Sequence, residues 1–120
     1  MEKTQNTNKY RELEDRTFQF AKRCRDYVKK LPKTITNIQY GKQLTRSSGS
    51  QAANYIEANE SLSKKDFVHR VRICRKETKE SYLWLRLSEP ESSVEQEKAA
   101  LMEESEELRK IFSAILDKSV

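Results

Sequence analysis

Lys65, His69, Arg72, Lys76, Lys79 and Arg86 follow one another at steps of four, three, four, three and seven residues. Steps of three and four return to the same side of a helix, so these side chains form one cationic stripe about six turns long. A second series, Arg16, Arg23 and Lys30, recurs every seven residues, with Lys22, Arg25, Lys29 and Lys33 close by. Such stripes suit contacts to phosphates, which bring affinity and salt dependence without base selectivity. A solvated helix face has the same pattern, so the collective stripe carries more weight than any one member.

Other chemistry is poorly supplied. His69 is the single histidine and follows Asp66 at i, i+3. A carboxylate-bridged metal pair in a helical bundle needs two Glu-x-x-His units and further carboxylates, so no metal is expected. Glu57, Glu77 and Glu80 lie closest to the apolar faces, and paired carboxylates can do acid/base work. No nucleophile with an adjacent base and no glycine-rich phosphate loop accompanies them, so no catalytic residue and no cofactor are assigned. Cys24 and Cys74 lack metal-ligand spacing and read as small, reduced core residues. Tyr27 lies beside the first basic cluster. Tyr82 and Trp84, two residues apart near the end of the second, cannot both face one core. Stacking on unpaired bases and a subunit interface account equally well for the ring that turns outward.

The elements that position these residues follow from composition and periodicity. A chain of 120 residues with two Gly and two Pro has length for one core and few turn formers, which implies long helices. The first is expected over residues 10–31, with Leu13, Phe20, Ala21, Cys24, Val28 and Leu31 on one face and Pro32 as its stop. The second runs over about 37–60 behind a Thr34 or Thr36 cap, with Ile38, Gly41, Leu44, Ser48, Ala52, Tyr55 and Leu62 near one line. Ser63-Lys64-Lys65-Asp66 reads as a capping box opening the third, which turns Phe67, Val71, Cys74, Thr78, Ser81, Tyr82 and Leu85 inward and stops before Pro90. Ser92 or Ser93 caps the fourth, with Glu95 and Glu97 at its start and an apolar stripe of Leu101, Leu108, Ile111, Phe112, Ile115 and Leu116. Short connections give an all-α, antiparallel up-down-up-down four-helix bundle over residues 10–120, preceded by a flexible segment at 1–9.

Charge is unevenly placed. The net charge is +5, but residues 1–87 hold 20 Lys+Arg against 10 Asp+Glu, while residues 88–120 hold 4 against 9. The basic portion suits a polyanion, and the acidic end suits a basic neighbour within the chain or across a subunit boundary. In a chain with 36% charged residues, residues 47–56 carry none and are mostly small. Small side chains let backbones approach closely, so Arg46, Ser47, Ser48, Ser50, Asn54 and Glu57 are assigned to subunit packing, where buried polar groups fix register. No apolar leader and no long apolar run is present, so a cytoplasmic location without membrane association is expected.

The runs Phe18-Gln19-Phe20-Ala21, Arg46-Ser47-Ser48-Gly49-Ser50 with Asn54-Tyr55-Ile56-Glu57-Ala58, Cys74-Arg75-Lys76-Glu77-Thr78 with Trp84-Leu85, and Ile111-Phe112 with Ile115-Leu116 resemble the bacterial family of 23S rRNA intervening-sequence proteins, also labelled ribosomal proteins. The resemblance covers about residues 10–117. It implies a bundle assembled as a homopentamer around a central channel, with no established enzymatic activity. The chain is also similar to the accessory variability protein of diversity-generating retroelements, which implies RNA and a protein partner such as a reverse transcriptase. The resulting expectation is a non-catalytic, homo-oligomeric scaffold or accessory protein that binds RNA or DNA through Lys65, Arg72, Lys76, Lys79 and Arg86, with Arg16, Arg23 and Lys30. The alternative is an interaction module that docks an acidic protein without nucleic acid.

Overall fold

Thr34 adopts extended backbone two residues after Pro32, and its Oγ1 accepts a hydrogen bond from the Asn37 amide at 3.1 Å. That bond satisfies a first-turn donor and opens α2, Ile35–Asn59. Ser63 does the same for α3, Lys64–Leu87, its Oγ accepting from the Asp66 amide at 3.1 Å. The reciprocal bond of a capping box, from the Ser63 amide to the Asp66 carboxylate, is absent among the described residues. The structure is a computed structural model that describes the backbone of residues 2–119, with side chains from Glu12 onward. In it α1 spans Glu2–Lys30 and α4 spans Glu95–Lys118. The helical backbone of α1 therefore starts well before Tyr10. The side chains of residues 1–11 lie outside the described residues, and with them the expectation of a flexible segment at 1–9.

One expected cap is replaced. Ser92 and Ser93 do not cap α4; with Val94 they form a 3-10 turn, and the Val94 amide donates to the Glu91 carbonyl at 2.9 Å. Tighter i→i+3 bonding supplies the partners that a serine hydroxyl would otherwise give.

Contacts between helices fix the topology. Val28 lies against Gly41, where a Cβ on the glycine would come within 2.9 Å of Val28 Cγ1, and at the other end Asn59 donates to Glu14 at 2.8 Å. α1 and α2 are therefore antiparallel, and Gly41 is the point of closest approach. Asn54 with Arg70 and Tyr40 with Trp84 set α2 against α3 in the same sense. Arg16 with Glu104 and Arg23 with Glu97 do so for α1 and α4. The Lys98 ammonium, near the start of α4, donates to the Arg86 and Ser88 carbonyls at the end of α3. The result is an up-down-up-down bundle measuring 48 × 25 × 20 Å.

Its core holds Phe20, Cys24, Tyr27, Leu44, Tyr55, Val71, Cys74, Leu85, Leu101, Leu108 and Phe112. Burial of each large side chain contributes on the order of 1.5–3 kcal/mol. Polar groups are built into this core. Ser47 and Ser81 share a hydrogen bond at 2.7 Å, and buried Gln51 donates to the Thr17 and Ser48 carbonyls at 2.8 and 3.0 Å. At the loop end Asn37 donates to the carbonyls of Pro32 and Glu89 and accepts from the Glu89 amide, which ties the α1–α2 and α3–α4 connections together.

Three expectations change. Leu62 is 99% exposed, because α2 has ended at Asn59, and Ile38 is 42% exposed, because a line drawn at fixed steps drifts around a 3.6-residue helix. Tyr27 is fully buried, its hydroxyl 2.6 Å from Ser88 Oγ, and so is no surface ring.

Candidate nucleic-acid interface

Position along the helix decides what each cation meets. On α1, Arg16 and Arg23 are seven residues apart, and on antiparallel α4 so are Glu97 and Glu104. The two pairs therefore face each other. Arg16 forms a two-pronged contact with Glu104, both bonds at 2.8 Å, and Arg23 reaches Glu97 at 3.4 Å. Donation to the Glu104 carboxylate holds the Arg16 guanidinium above its ordinary pKa. Lys30, next in the series, would need a partner near Pro90, which lies before α4 begins; Lys30 is exposed without a carboxylate. Of the three α1 cations assigned to nucleic acid, two are neutralised within the protomer.

The α3 stripe is different. Lys65, His69, Arg72, Lys76, Lys79 and Arg86 are all exposed, and among the described residues none of them is ion-paired. Two of the three carboxylates of α3 turn the other way. Glu77 and Glu80 both accept from Arg46 of α2, at 2.7 Å each. Burial works against the charge of Glu80, but the hydrogen bond and charge of Arg46, helped by the Trp84 indole, hold its carboxyl below the ordinary 4.5. Bonds from Glu80 and then Glu77 raise the Arg46 guanidinium in turn. α3 packs Glu77 and Glu80 against α2 and leaves the stripe to solvent, with Asp66 exposed beside Lys65, His69 and Arg72.

The residues assigned to subunit packing divide in the same way. Ser47 and Ser48 are buried inside the protomer, so their small size serves the packing of α2 on its own neighbours. Arg46 is held by Glu77 and Glu80. Asn54 accepts from Arg70 of α3 at 3.0 Å and donates to Ser50 within α2. Glu57 remains exposed, near Glu60, Asp66, His69 and Arg70, and is far along α2 from Glu77 and Glu80; the three carboxylates do not converge. Burial pushes both Cys24 and Cys74 up to about 12, which makes them inert thiols. Among the described residues no cluster of His, Cys, Asp or Glu could hold a metal, and no helix is long and apolar enough to cross a membrane.

A second surface lies between α1 and α2. Phe18 and Ile38 are 56% and 42% exposed beside Ala21, Val28, Thr45 and Gly49, and Lys22, Arg25, Lys33 and Lys42 line the same grooves. Ile56, 50% exposed, continues this face along α2 at three- and four-residue steps. A Cβ added at Gly49 would have no atom within 4 Å. The uncharged character of residues 47–56 thus has an outward side as well as an inward one.

No curated protein matches the chain. Among solved structures, a protein of unknown function from the S23 ribosomal protein family of Bacteroides thetaiotaomicron is similar at 26% identity with a TM-score of 0.69, over 86% of this chain and 96% of that one. The family model described as 23S rRNA-intervening sequence protein matches residues 11–114, nearly the whole described bundle. The chain belongs to the family of 23S rRNA-intervening sequence proteins.

Proposed function

We propose that this protein is a non-catalytic, homo-oligomeric bundle that binds RNA or DNA through the outer face of α3 and acts as a scaffold or accessory factor. The observation that carries the reading is the row Lys65, Arg72, Lys76, Lys79 and Arg86, exposed and free of intramolecular ion pairs while the α1 arginines are paired. Uncompensated cations meet phosphates without first giving up an ion pair and release counterions as they do so. The family's name supports RNA as the first polyanion to try.

Titration of structured RNA and duplex DNA across a salt series tests this. Four phosphate contacts cost about two orders of magnitude in affinity between 50 and 200 mM salt. Joint reversal of Lys65, Arg72, Lys76 and Lys79 to Glu is expected to abolish binding at unchanged helicity; binding that survives the reversal rejects the reading.

Assembly, as the homopentamer that the resemblance implies, would cover the α1–α2 face. A glycine inside a helix costs about 0.5–1 kcal/mol relative to alanine, and within the protomer Gly49 has no packing reason to be small. Gly49→Ala is therefore expected to stabilise the isolated protomer by that amount and to lower the mass in solution by ultracentrifugation. An unchanged mass removes this face from the assembly. The groove's basic rim also favours the second reading, docking of an acidic protein; capture of such a partner after nuclease treatment, with no affinity for RNA or DNA at low salt, would replace the first reading by the second.

A further inference from the structure

We propose that the C-terminal end of α3 is a stacking platform, so that this face takes unpaired nucleic acid in preference to duplex. The inference rests on the phosphate-binding reading above and adds the class of strand. Tyr82 lies three residues beyond Lys79 and four before Arg86, which places it on the cationic face, and the Arg86 guanidinium lies 5.7 Å from its ring centroid. Leu83 and Leu87, four and eight residues beyond Lys79 and so in line with the cationic stripe, are 43% and 42% exposed. The stripe thus changes character along the helix, from ammonium and guanidinium groups to two exposed apolar side chains, with the Arg86 guanidinium stacked on a partly buried ring at its edge.

Other rings in this half of the bundle are engaged. Trp84 stacks on Tyr40 at 6.1 Å and its indole donates to Glu80 at 3.3 Å, so it is the ring that turns toward α2. Tyr27 is buried in the core. Tyr82 is partly buried, and its hydroxyl has no hydrogen-bond partner among the described residues.

The ligand follows from the chemistry of the two parts. A duplex shows phosphates and groove edges but keeps its base faces stacked, so Tyr82, Leu83 and Leu87 would meet charged backbone and lose hydration for no return. A single strand offers phosphates to the Lys65–Lys79 row, about 21 Å long, and a free base face to the Arg86–Tyr82 pair further along the helix. The Arg86 guanidinium lies over the Tyr82 ring, so the base stacks on the guanidinium plane that the ring backs, with a cation–π contribution from the pair. Every base has a π-face, so the platform prefers unpaired strands without selecting sequence.

The test uses the full chain and three probes: an RNA oligonucleotide of about 12 nucleotides, within the site sizes usual for such proteins, its abasic counterpart, and its duplex. The wild type is expected to hold the unpaired oligonucleotide about tenfold more tightly than either of the others, the change typical of one stacked base. Tyr82→Leu keeps apolar contact with the helix but removes the flat ring; it should erase the tenfold preference while leaving the salt slope unchanged, and Tyr82→Phe should retain the preference. Equal affinity for unpaired, abasic and duplex probes, or a preference that persists in Tyr82→Leu, overturns the platform while leaving phosphate binding in place. Absence of binding to all three at low salt overturns both readings.

Discussion

The α1–α4 seam and the outer face of α3 carry cations at similar helical spacing, yet only the first meets its counter-charges inside the protomer. Arg16 and Arg23 stand opposite Glu104 and Glu97, while Lys65, Arg72, Lys76 and Lys79 stand opposite solvent. A stripe of bases is therefore no measure of a positive surface until its neighbouring helix is known. Most of the excess acid of residues 88–120 lies on α4, and part of it is spent on α1. The polyanion-binding potential that remains is concentrated on α3.

That comparison can be broken or sharpened by experiment. Replacing Lys65, Arg72, Lys76 and Lys79 by Ala should weaken RNA binding by about two orders of magnitude near 200 mM salt, whereas the same change at Arg16 and Arg23 should alter it little. Comparable losses would erase the distinction between the faces. Arg46→Ala strands the nearly buried Glu77 carboxylate and is expected to cost about 1–3 kcal/mol in denaturant unfolding, less than a fully buried pair because Arg46 is half-exposed. Glu97→Gln with Glu104→Gln frees the α1 arginines; the slope of log affinity against log salt should steepen by up to about 1.8, at a stability cost below about 1 kcal/mol per exposed pair. The smallest effect is in acid. The Glu80 pKa is depressed in the folded state, so its contribution is present above the ordinary 4.5 and is lost as pH falls through the lowered value. Glu80→Gln should flatten that part of the melting temperature profile below pH 4.5, and an unchanged profile would mean that Arg46 acts on Glu77 alone.

Some of this geometry was readable in advance. The caps at Thr34 and Ser63 and the core stripe of α4 follow from local spacing, because a hydroxyl reaching its own helix and an apolar face need no knowledge of the rest of the chain. The matched seven-residue spacing of Arg16 and Arg23 with Glu97 and Glu104 was also present in the sequence, but it acquires meaning only when the helices are known to be antiparallel neighbours. Tyr27 shows the opposite case. Its place beside Lys29 and Lys30 suggests surface, yet Ser88, 61 residues away, gives its hydroxyl a partner in the core.

By itself the sequence determined four helices, where they stop, and an all-α bundle with one core, since those properties depend on local capping, period and composition. Only the tertiary structure decided which cations are spent and which are free, that Trp84 stacks on Tyr40 of α2 while Tyr82 lies under Arg86, and that the small segment of α2 serves the protomer on one side and an exposed groove on the other. Pairing of charges and covering of surfaces are set by helices distant in sequence, and no local periodicity encodes which neighbour arrives.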